Sequence, residues 1–450
     1  MQARETFSGR FAILIAAAGS AVGLGNIWRF PYLAGQNGGA AFIIIYLVCV
    51  FLLGIPLMMS EFAIGRRAGR NAIGSFRSLS PGSYWYLVGF MGIVASFVIL
   101  SFYSVVAGWT FEYIYQLAVN AFQNQSPQQI SNYFDMFVTG NLRPVLWQVL
   151  VMILTALIIY SGVKNGIEKF SKIFMPLLLL IIIILDARAL FLDGSGEGYR
   201  FLFTPDFSKI TGTTIITALG QAFFSLSLGM GALITYGSYV KKDINLGMTA
   251  IGVSIIDTII AICAGLAIIP AVFAFGLQPG EGPGLVFKTL PVVFQQMGGG
   301  SLFGTLFFIL LAIAAITSTI SLLEVVVAYM TEEFAISRKW ATFSSGLAIT
   351  ILGVFCSLSN GILSQYKILG LTLMGLCEYL SSNILLPAGG LCIVLFLGWF
   401  YPMQLVKDEL SNQNTLRIRW FGLYHFILRY FTPVAIILVF LNGFGFFYWL

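Results

Sequence analysis

The chain has 450 residues, of which 58% are hydrophobic and only 9% are charged, and its formal net charge is +6. A mean hydropathy of +0.91 excludes a soluble globular protein, because so few charged side chains could not cover the surface of one. The composition predicts an integral membrane protein. The first apolar run follows a polar decapeptide and is not itself followed by a small-residue cleavage site and a mature domain. This indicates a retained span and not a signal peptide.

Eleven apolar runs are long enough to cross a bilayer, which requires roughly 20 residues of helix. The runs are continuous and lack the short alternating pattern of membrane strands, so all are predicted as helices. We number them spans 1 to 11, and they lie at about 11–36, 40–66, 84–118, 144–161, 167–188, 213–239, 244–276, 302–333, 340–358, 366–400 and 420–449. The sequence therefore predicts one all-α transmembrane domain over residues 1–450.

The basic residues predict how the chain is oriented in the membrane. Lys and Arg concentrate in the loops on the side of the membrane where the N-terminus is predicted, and few of them lie in the loops on the opposite side. Because cytoplasmic loops carry this excess, the N-terminus is predicted in the cytoplasm and, after eleven spans, the C-terminus outside. The membrane topology thus accounts for the positive net charge, which does not indicate a nucleic-acid partner. The expected surroundings of the chain are the lipid bilayer.

Span 1 contains a stretch that should interrupt its helix, Gly19 to Pro31, with the sequence GSAVGLGNIWRFP. Each glycine costs a helix interior about 1 kcal/mol and each proline about 3 kcal/mol. Within hydrocarbon, a broken helix is tolerated only where its freed N–H and C=O groups line a cavity or contact a ligand. We therefore expect this stretch to form part of a binding site.

Span 6 has a similar interruption from Gly220 to Gly231, with the sequence GQAFFSLSLGMG. Matched breaks in two halves of a chain favour an inverted-repeat secondary transporter, here with repeats at about 11–188 and 213–400 and an extra helix at 420–449. Close packing of small residues is the alternative explanation for either break alone. In such transporters half-helix N-termini face an anionic group of the substrate, and freed carbonyls hold a cation.

Polar residues in spans 7 and 8 also indicate a cation site. The hydroxyls of Thr317 and Ser318 could join freed carbonyls in a neutral oxygen shell, although each could instead bond the carbonyl four residues before it. Asp257 lies deep in span 7 without a basic neighbour in its own helix. Either a bound cation or protonation of the carboxyl would account for its position.

Enzymatic chemistry is not predicted. The chain has one histidine and no P-loop, and its five cysteines lie in apolar runs without the spacing of metal ligands. The cysteines are therefore expected to be small core residues and not a disulfide framework or a metal site.

Several of these runs together resemble the neurotransmitter:sodium symporter family, especially its bacterial amino-acid transporters. The runs are GLGNIWRFP at Gly23 to Pro31, which is highly specific, FFSLSLG at Phe223 to Gly229, Thr317-Ser318, and EYLSSN at Glu378 to Asn383. The resemblance covers nearly the whole chain. It implies the leucine-transporter fold with discontinuous helices 1 and 6, location in a bacterial inner membrane, and sodium-driven uptake of an amino acid by alternating access.

The resemblance implies two Na+ sites and one substrate site. The first sodium site would take the Ala21 carbonyl, Asn26, Ser225 and Asp257, together with the substrate carboxylate. The second would take the carbonyls of Gly19, Val22 and Ala314 and the hydroxyls of Thr317 and Ser318. The substrate would contact Ala21, Leu24, Gly25, Ile99, Tyr103, Phe224, Ser225, Ser227, Met230, Ser318 and Leu322. Ser20, Gly23 and Pro31 are expected only to shape the break.

Two positions bear on specificity under the same resemblance. Met230 replaces a phenylalanine of the leucine-preferring member, and because methionine is adaptable, a bulky apolar or aromatic L-amino acid is expected. Chloride-dependent members have a serine at the position of Ala261 and an uncharged residue at that of Asp257, so transport is expected to be independent of chloride. A sodium-dependent sensor, or a transporter of another small amino-acid-like solute, would need similar ligands and remains the alternative.

The resemblance also implies two gates. Arg29 and Glu378 would close the site from outside, and Arg4 and Glu332 would close it from the cytoplasm. Glu378 stands where an aspartate is more usual. On the outer side, the segment from Gly276 to Gly300 carries apolar residues in a loop, which predicts a plug or lid that folds back into the protein.

Overall fold

The computed structural model describes residues 5–277, 284–444 and 446. Nine helices in this part of the chain are long and apolar enough to cross a membrane, and each coincides with a predicted span. Their bounds are Ala40–Ala68, Tyr86–Ala118, Arg143–Tyr160, Val163–Leu190, Leu246–Ala274, Gly300–Glu333, Arg338–Leu358, Leu373–Phe400 and Phe421–Gly443. They correspond to spans 2 to 5 and 7 to 11.

The two remaining predicted spans are the two that were expected to be broken. Span 1 forms Arg10–Ala21 and Gly25–Gln36, bent by 56° at the break, and brings the count in the described residues to ten if the pair is one span. Span 6 forms Gly212–Ser225 and Ala232–Gly237, and neither half is long enough to cross a membrane alone. The predicted discontinuity of helices 1 and 6 is confirmed, whereas the count of eleven is not.

Backbone conformation explains both breaks. In span 1, Val22 is extended (φ −68°, ψ 109°), which ends the first half-helix. In span 6, Ser227, Gly229 and Gly231 have φ of 55°, 79° and 76°. A Cβ on Gly229 would lie 2.6 Å from the Leu386 carbonyl oxygen, so the left-handed turn is held against span 10 where only glycine fits.

Span 8 is the centre of the bundle. Of its most apolar 18-residue window, 89% is buried inside the protein, and the helix packs against spans 1, 3, 5 and 9. This position places its hydroxyl-bearing face, which includes Thr317 and Ser318, beside the break in span 1.

The described part of the predicted lid folds back as expected. It consists of two consecutive helical segments, Leu285–Thr289 and Leu290–Gln296, while residues 278–283 lie outside the described residues. Phe287 is fully buried, stacks on Phe134 and contacts Trp28 and Trp109 edge-on. The lid is thereby packed against both span 1 and span 3.

Buried carboxylates within the spans have identifiable partners. Glu112 accepts a hydrogen bond from Arg143 Nε at 2.7 Å, and Glu324 pairs with Arg338 at 2.5 Å. Glu61 accepts from the Gly229 N–H at 2.8 Å. The arginine partners offset the cost of burying Glu112 and Glu324, whereas Glu61 has this one hydrogen bond and no partner at Oε2.

Candidate functional site

Asn26 connects the two helix breaks. Its Oδ1 accepts from the Gly23 N–H at 3.1 Å, and its Nδ2 donates to Ser225 Oγ at 3.0 Å and to Asp257 Oδ1 at 2.7 Å. Asn26 and Asp257 are 0% exposed, and Ala21 lies beside Asn26 on the wall of one small cavity. The structure therefore brings together all four residues predicted for the first sodium site.

Asp257 is a buried carboxylate without a positively charged partner. It accepts from Asn26, from Ser225 Oγ at 2.8 Å and from Tyr46 Oη at 3.2 Å, but it takes part in no ion pair within the described ranges. Ser225 and Tyr46 face the carboxylate with oxygen atoms, whereas Asn26 presents Nδ2 to it and would have to turn Oδ1 toward an ion. With that reorientation, the set of side-chain oxygens suits a sodium ion. The part played by Tyr46 was not predicted, since one tyrosine in an apolar run carries no local signal.

The residues of the predicted second sodium site also converge. Thr317 Oγ1 lies 2.9 Å from the Ala314 carbonyl oxygen and 3.5 Å from that of Val22. Ser318 Oγ lies 3.3 Å from the same two carbonyl oxygens, and a Cβ on Gly19 would lie 3.4 Å from Thr317 Cβ. These neutral oxygens suit a monovalent cation. Both hydroxyls also approach the carbonyl four residues before them, so the alternative bonding is present as well.

A cavity of about 30 Å³ lies between the breaks, and ten of the eleven predicted substrate residues line it. They are Ala21, Gly25, Ile99, Tyr103, Phe224, Ser225, Ser227, Met230, Ser318 and Leu322. The eleventh, Leu24, faces the larger cavity described below, and its N–H donates to Tyr103 Oη at 3.0 Å. The predicted substrate site is thus one continuous surface.

Four further residues line this cavity, namely Asn26, Ser20, Gly23 and Ser321. A Cβ on Gly23 would lie 2.7 Å from Ser318 Oγ and 2.8 Å from Tyr103 Oη, so a side chain there would displace these two hydroxyls. The Ser20 carbonyl accepts from Ser227 Oγ at 2.8 Å and ties the first break to the second. Ser20 and Gly23 therefore form part of the site wall, beyond the expectation that they only shape the break.

A second cavity, of about 510 Å³, is separated from the first by Tyr103 and Phe224, which line both. Arg29 and Glu378, the predicted outer gate, both face it. The Arg29 guanidinium lies 5.1 Å from the centre of the Phe224 ring, and no nitrogen–oxygen distance of 4 Å or less joins it to Glu378. The structure brings the two gate residues to one cavity without closing the pair.

The predicted inner gate falls partly outside the described residues, because Arg4 is not among them. Glu332 accepts from the backbone N–H of Asn71 at 2.7 Å. A neighbouring set of contacts lies wholly within the described residues. The Phe7 ring packs edge-on against Tyr239, and Tyr239 Oη donates a hydrogen bond to Glu324 at 2.7 Å. Glu324, which pairs with Arg338, therefore holds Tyr239 against Phe7 of the N-terminal segment. The sequence did not single out Glu324 as a gate residue.

Two broken helices whose gaps meet at buried side-chain oxygens beside a small cavity are typical of secondary transporters built on inverted repeats. The pattern of the sodium:neurotransmitter symporter family matches residues 4–132 and 117–447. The chain therefore belongs to that family, whose members are transporters and not enzymes.

Individual relatives agree with this assignment. The chain is 41% identical to the uncharacterized sodium-dependent transporter YhdH of Bacillus subtilis, over 98% of this chain and 97% of the relative. It is 35% identical to an uncharacterized sodium-dependent transporter of Haemophilus influenzae, over 98% of each. The crystal structure of MhsT in complex with L-phenylalanine matches with a TM-score of 0.89 and 46% identity, covering 98% of this chain and 100% of that one.

Proposed function

We propose that this protein is a symporter that couples sodium entry to the uptake of a bulky apolar or aromatic L-amino acid, independently of chloride. It works by alternating access in a bacterial inner membrane, with its N-terminus in the cytoplasm. The observation that carries the proposal is the buried carboxylate of Asp257, which has no ion-pair partner in the described residues and is hydrogen-bonded to Asn26 and Ser225 on the wall of the small cavity between the breaks.

Substrate and ion are proposed to share one coordination shell. The N–H groups of Leu24 and Gly25 begin the second half-helix of span 1, where a carboxylate is favoured by the helix dipole. The hydroxyl of Tyr103 lies at the same point. A carboxylate bound there lies next to Asn26 and would complete the ligands of the first sodium ion, so each would increase the affinity for the other.

The side-chain pocket favours an apolar substrate. Ile99, Phe224, Met230 and Leu322 supply its apolar wall, and the cavity of about 30 Å³ is smaller than an aromatic ring. The wall must therefore move when a large substrate binds, and the unbranched side chain of Met230 can adopt new rotamers at low cost. The similarity to MhsT, which was solved with L-phenylalanine, supports an aromatic substrate.

Chloride independence is proposed from the same carboxylate. In a site made only of neutral groups, a mobile anion can balance the charge of sodium. Here Asp257 supplies a fixed negative charge, and Ala261, one helical turn further along span 7, offers no hydroxyl to an anion.

The test is uptake into proteoliposomes of purified protein, with labelled phenylalanine and an inward sodium gradient. We expect accumulation that disappears when the gradient is dissipated and that is unchanged when gluconate replaces chloride. Competition by the other amino acids then ranks the substrates. Sodium-dependent binding without accumulation would identify a sensor instead, and strong loss of uptake in gluconate would contradict chloride independence.

A further inference from the structure

Two buried cysteines are in sulfur contact at the junction of spans 9 and 10. Cys356 lies near the end of the Arg338–Leu358 helix, and Cys377 lies in the second turn of Leu373–Phe400. Their Sγ atoms are 3.8 Å apart, although the residues are 21 positions apart in the sequence. Both are free thiols, and they are 0% and 5% exposed.

The pair lies directly behind the wall of the larger cavity. Met374, Gly375 and Glu378, which flank Cys377 in the sequence, all line the 510 Å³ cavity, whereas Cys377 faces the opposite side. Cys356 Sγ is also 3.9 Å from Ser101 Oγ, on the helix that carries Tyr103. The two thiols therefore lie between the helix that carries Glu378, an outer-gate residue, and the helix that carries Tyr103, a substrate-site residue.

We propose that Cys356 and Cys377 are a modification site at which a peroxide forms a disulfide that holds the outer end of span 10 against span 9 and slows transport. This effect rests on the proposed function, because closing the outer gate requires Glu378 to approach Arg29. A disulfide one residue before Glu378 restricts that approach.

The chemistry balances with hydrogen peroxide as the oxidant. One thiolate attacks the peroxide, the O–O bond breaks, and a sulfenic acid forms. The second thiol displaces water from this sulfur to form the S–S bond. Two thiols and one peroxide thus yield one disulfide and two waters. Bonding requires the sulfurs to approach from 3.8 Å to about 2.05 Å.

The experiment treats the full-length protein with hydrogen peroxide and follows two independent readouts. Mass spectrometry of non-reduced peptides should detect a link between Cys356 and Cys377, and hydrogen exchange should slow over residues 371–383. Uptake into proteoliposomes should fall severalfold and recover with dithiothreitol. Cys356→Ser and Cys377→Ser should abolish the response, whereas Cys392→Ser, which removes another thiol of span 10, should retain it.

Each outcome bears on the inference. A peroxide-treated protein without the Cys356–Cys377 peptide overturns the modification site. A linked protein whose hydrogen exchange and uptake equal those of the reduced protein overturns the effect on the gate. Persistence of the peroxide response in both serine variants would overturn its assignment to this pair, because another cysteine or a methionine would then carry it. Failure of the reduced protein to transport at all would count against the proposed function, while the mass spectra and hydrogen exchange would still decide the thiol site.

Discussion

Replacing Asp257 with asparagine should convert the proposed first sodium site into a weak and chloride-responsive one. The asparagine keeps an oxygen for the Asn26 amide, which now lies 2.7 Å from the carboxylate, but it removes the charge. An ion among Asn26, Ser225 and Asp257 would lie within roughly 4 Å of that charge, where an effective dielectric constant of about 20 gives an attraction of about 4 kcal/mol. Since each 1.4 kcal/mol is tenfold, sodium affinity should fall by about 10²- to 10³-fold.

The assay is equilibrium binding of labelled phenylalanine to the purified protein as sodium is varied, in chloride and in gluconate. The wild type should need little sodium and be indifferent to the anion. Asp257→Asn should need far more sodium and recover part of its affinity in chloride, because a mobile anion can replace the lost charge. Asp186→Asn is the matched control: it removes a carboxylate from span 5 that lines neither cavity, and it should leave the sodium dependence unchanged.

Two results would refute this reasoning. If Asp257→Asn bound substrate at the sodium concentration that the wild type needs, the carboxylate would not be a ligand of the ion. If its affinity fell but chloride restored nothing, the charge of Asp257 would not stand in for an anion. A comparable loss in the Asp186 variant would point instead to a general effect of charge removal on the bundle.

Three further changes have expected outcomes. Gly23→Ala places a methyl group against two hydroxyls of the site and should abolish substrate-induced thermal stabilisation, whereas Gly9→Ala, with nothing within 4 Å of its Cβ, should not. Met230→Phe should stiffen the pocket and shift competition for uptake from aromatic toward smaller aliphatic amino acids; an unchanged ranking would remove Met230 as a determinant. Glu324→Gln should lower stability by about 3 kcal/mol, seen as a lower melting temperature, since it breaks a buried ion pair. Glu333→Gln, which breaks an exposed pair, should cost less than about 1 kcal/mol.

The helix breaks were predictable because their physical cause is local. Glycine and proline are costly within a helix, so Gly19 to Pro31 could be identified as irregular from the sequence alone, and the structure breaks there. The length of the halves was not predictable in the same way. The sixth run is apolar enough for one span, but its left-handed turn at Ser227 to Gly231 divides it into pieces of 14 and 6 residues.

Contacts between distant segments were harder to predict. Tyr46 reaches Asp257 across 211 positions of sequence, and Gln221 donates to the Gly25 carbonyl across 196. Tyr46 does not stand out in its apolar run, and Gln221 belongs to the predicted break of span 6 without any sign of its partner, so only packing reveals their roles. Arg338 likewise lies in a basic loop that reads as part of the topology signal, and its pairing with Glu324 depends on the fold of the intervening turn.

The hydrogen bonds of Asn26 have a thermodynamic consequence. One side chain accepts from the backbone of the first break and donates to both a residue of the second break and the carboxylate in span 7. A ligand that reorients this amide alters both broken helices together. Occupancy of the sodium site is therefore linked to occupancy of the amino-acid site. By that linkage, the factor by which sodium raises amino-acid affinity must equal the factor by which the amino acid raises sodium affinity. Two titrations of the same protein, each with one ligand fixed, should return the same coupling free energy.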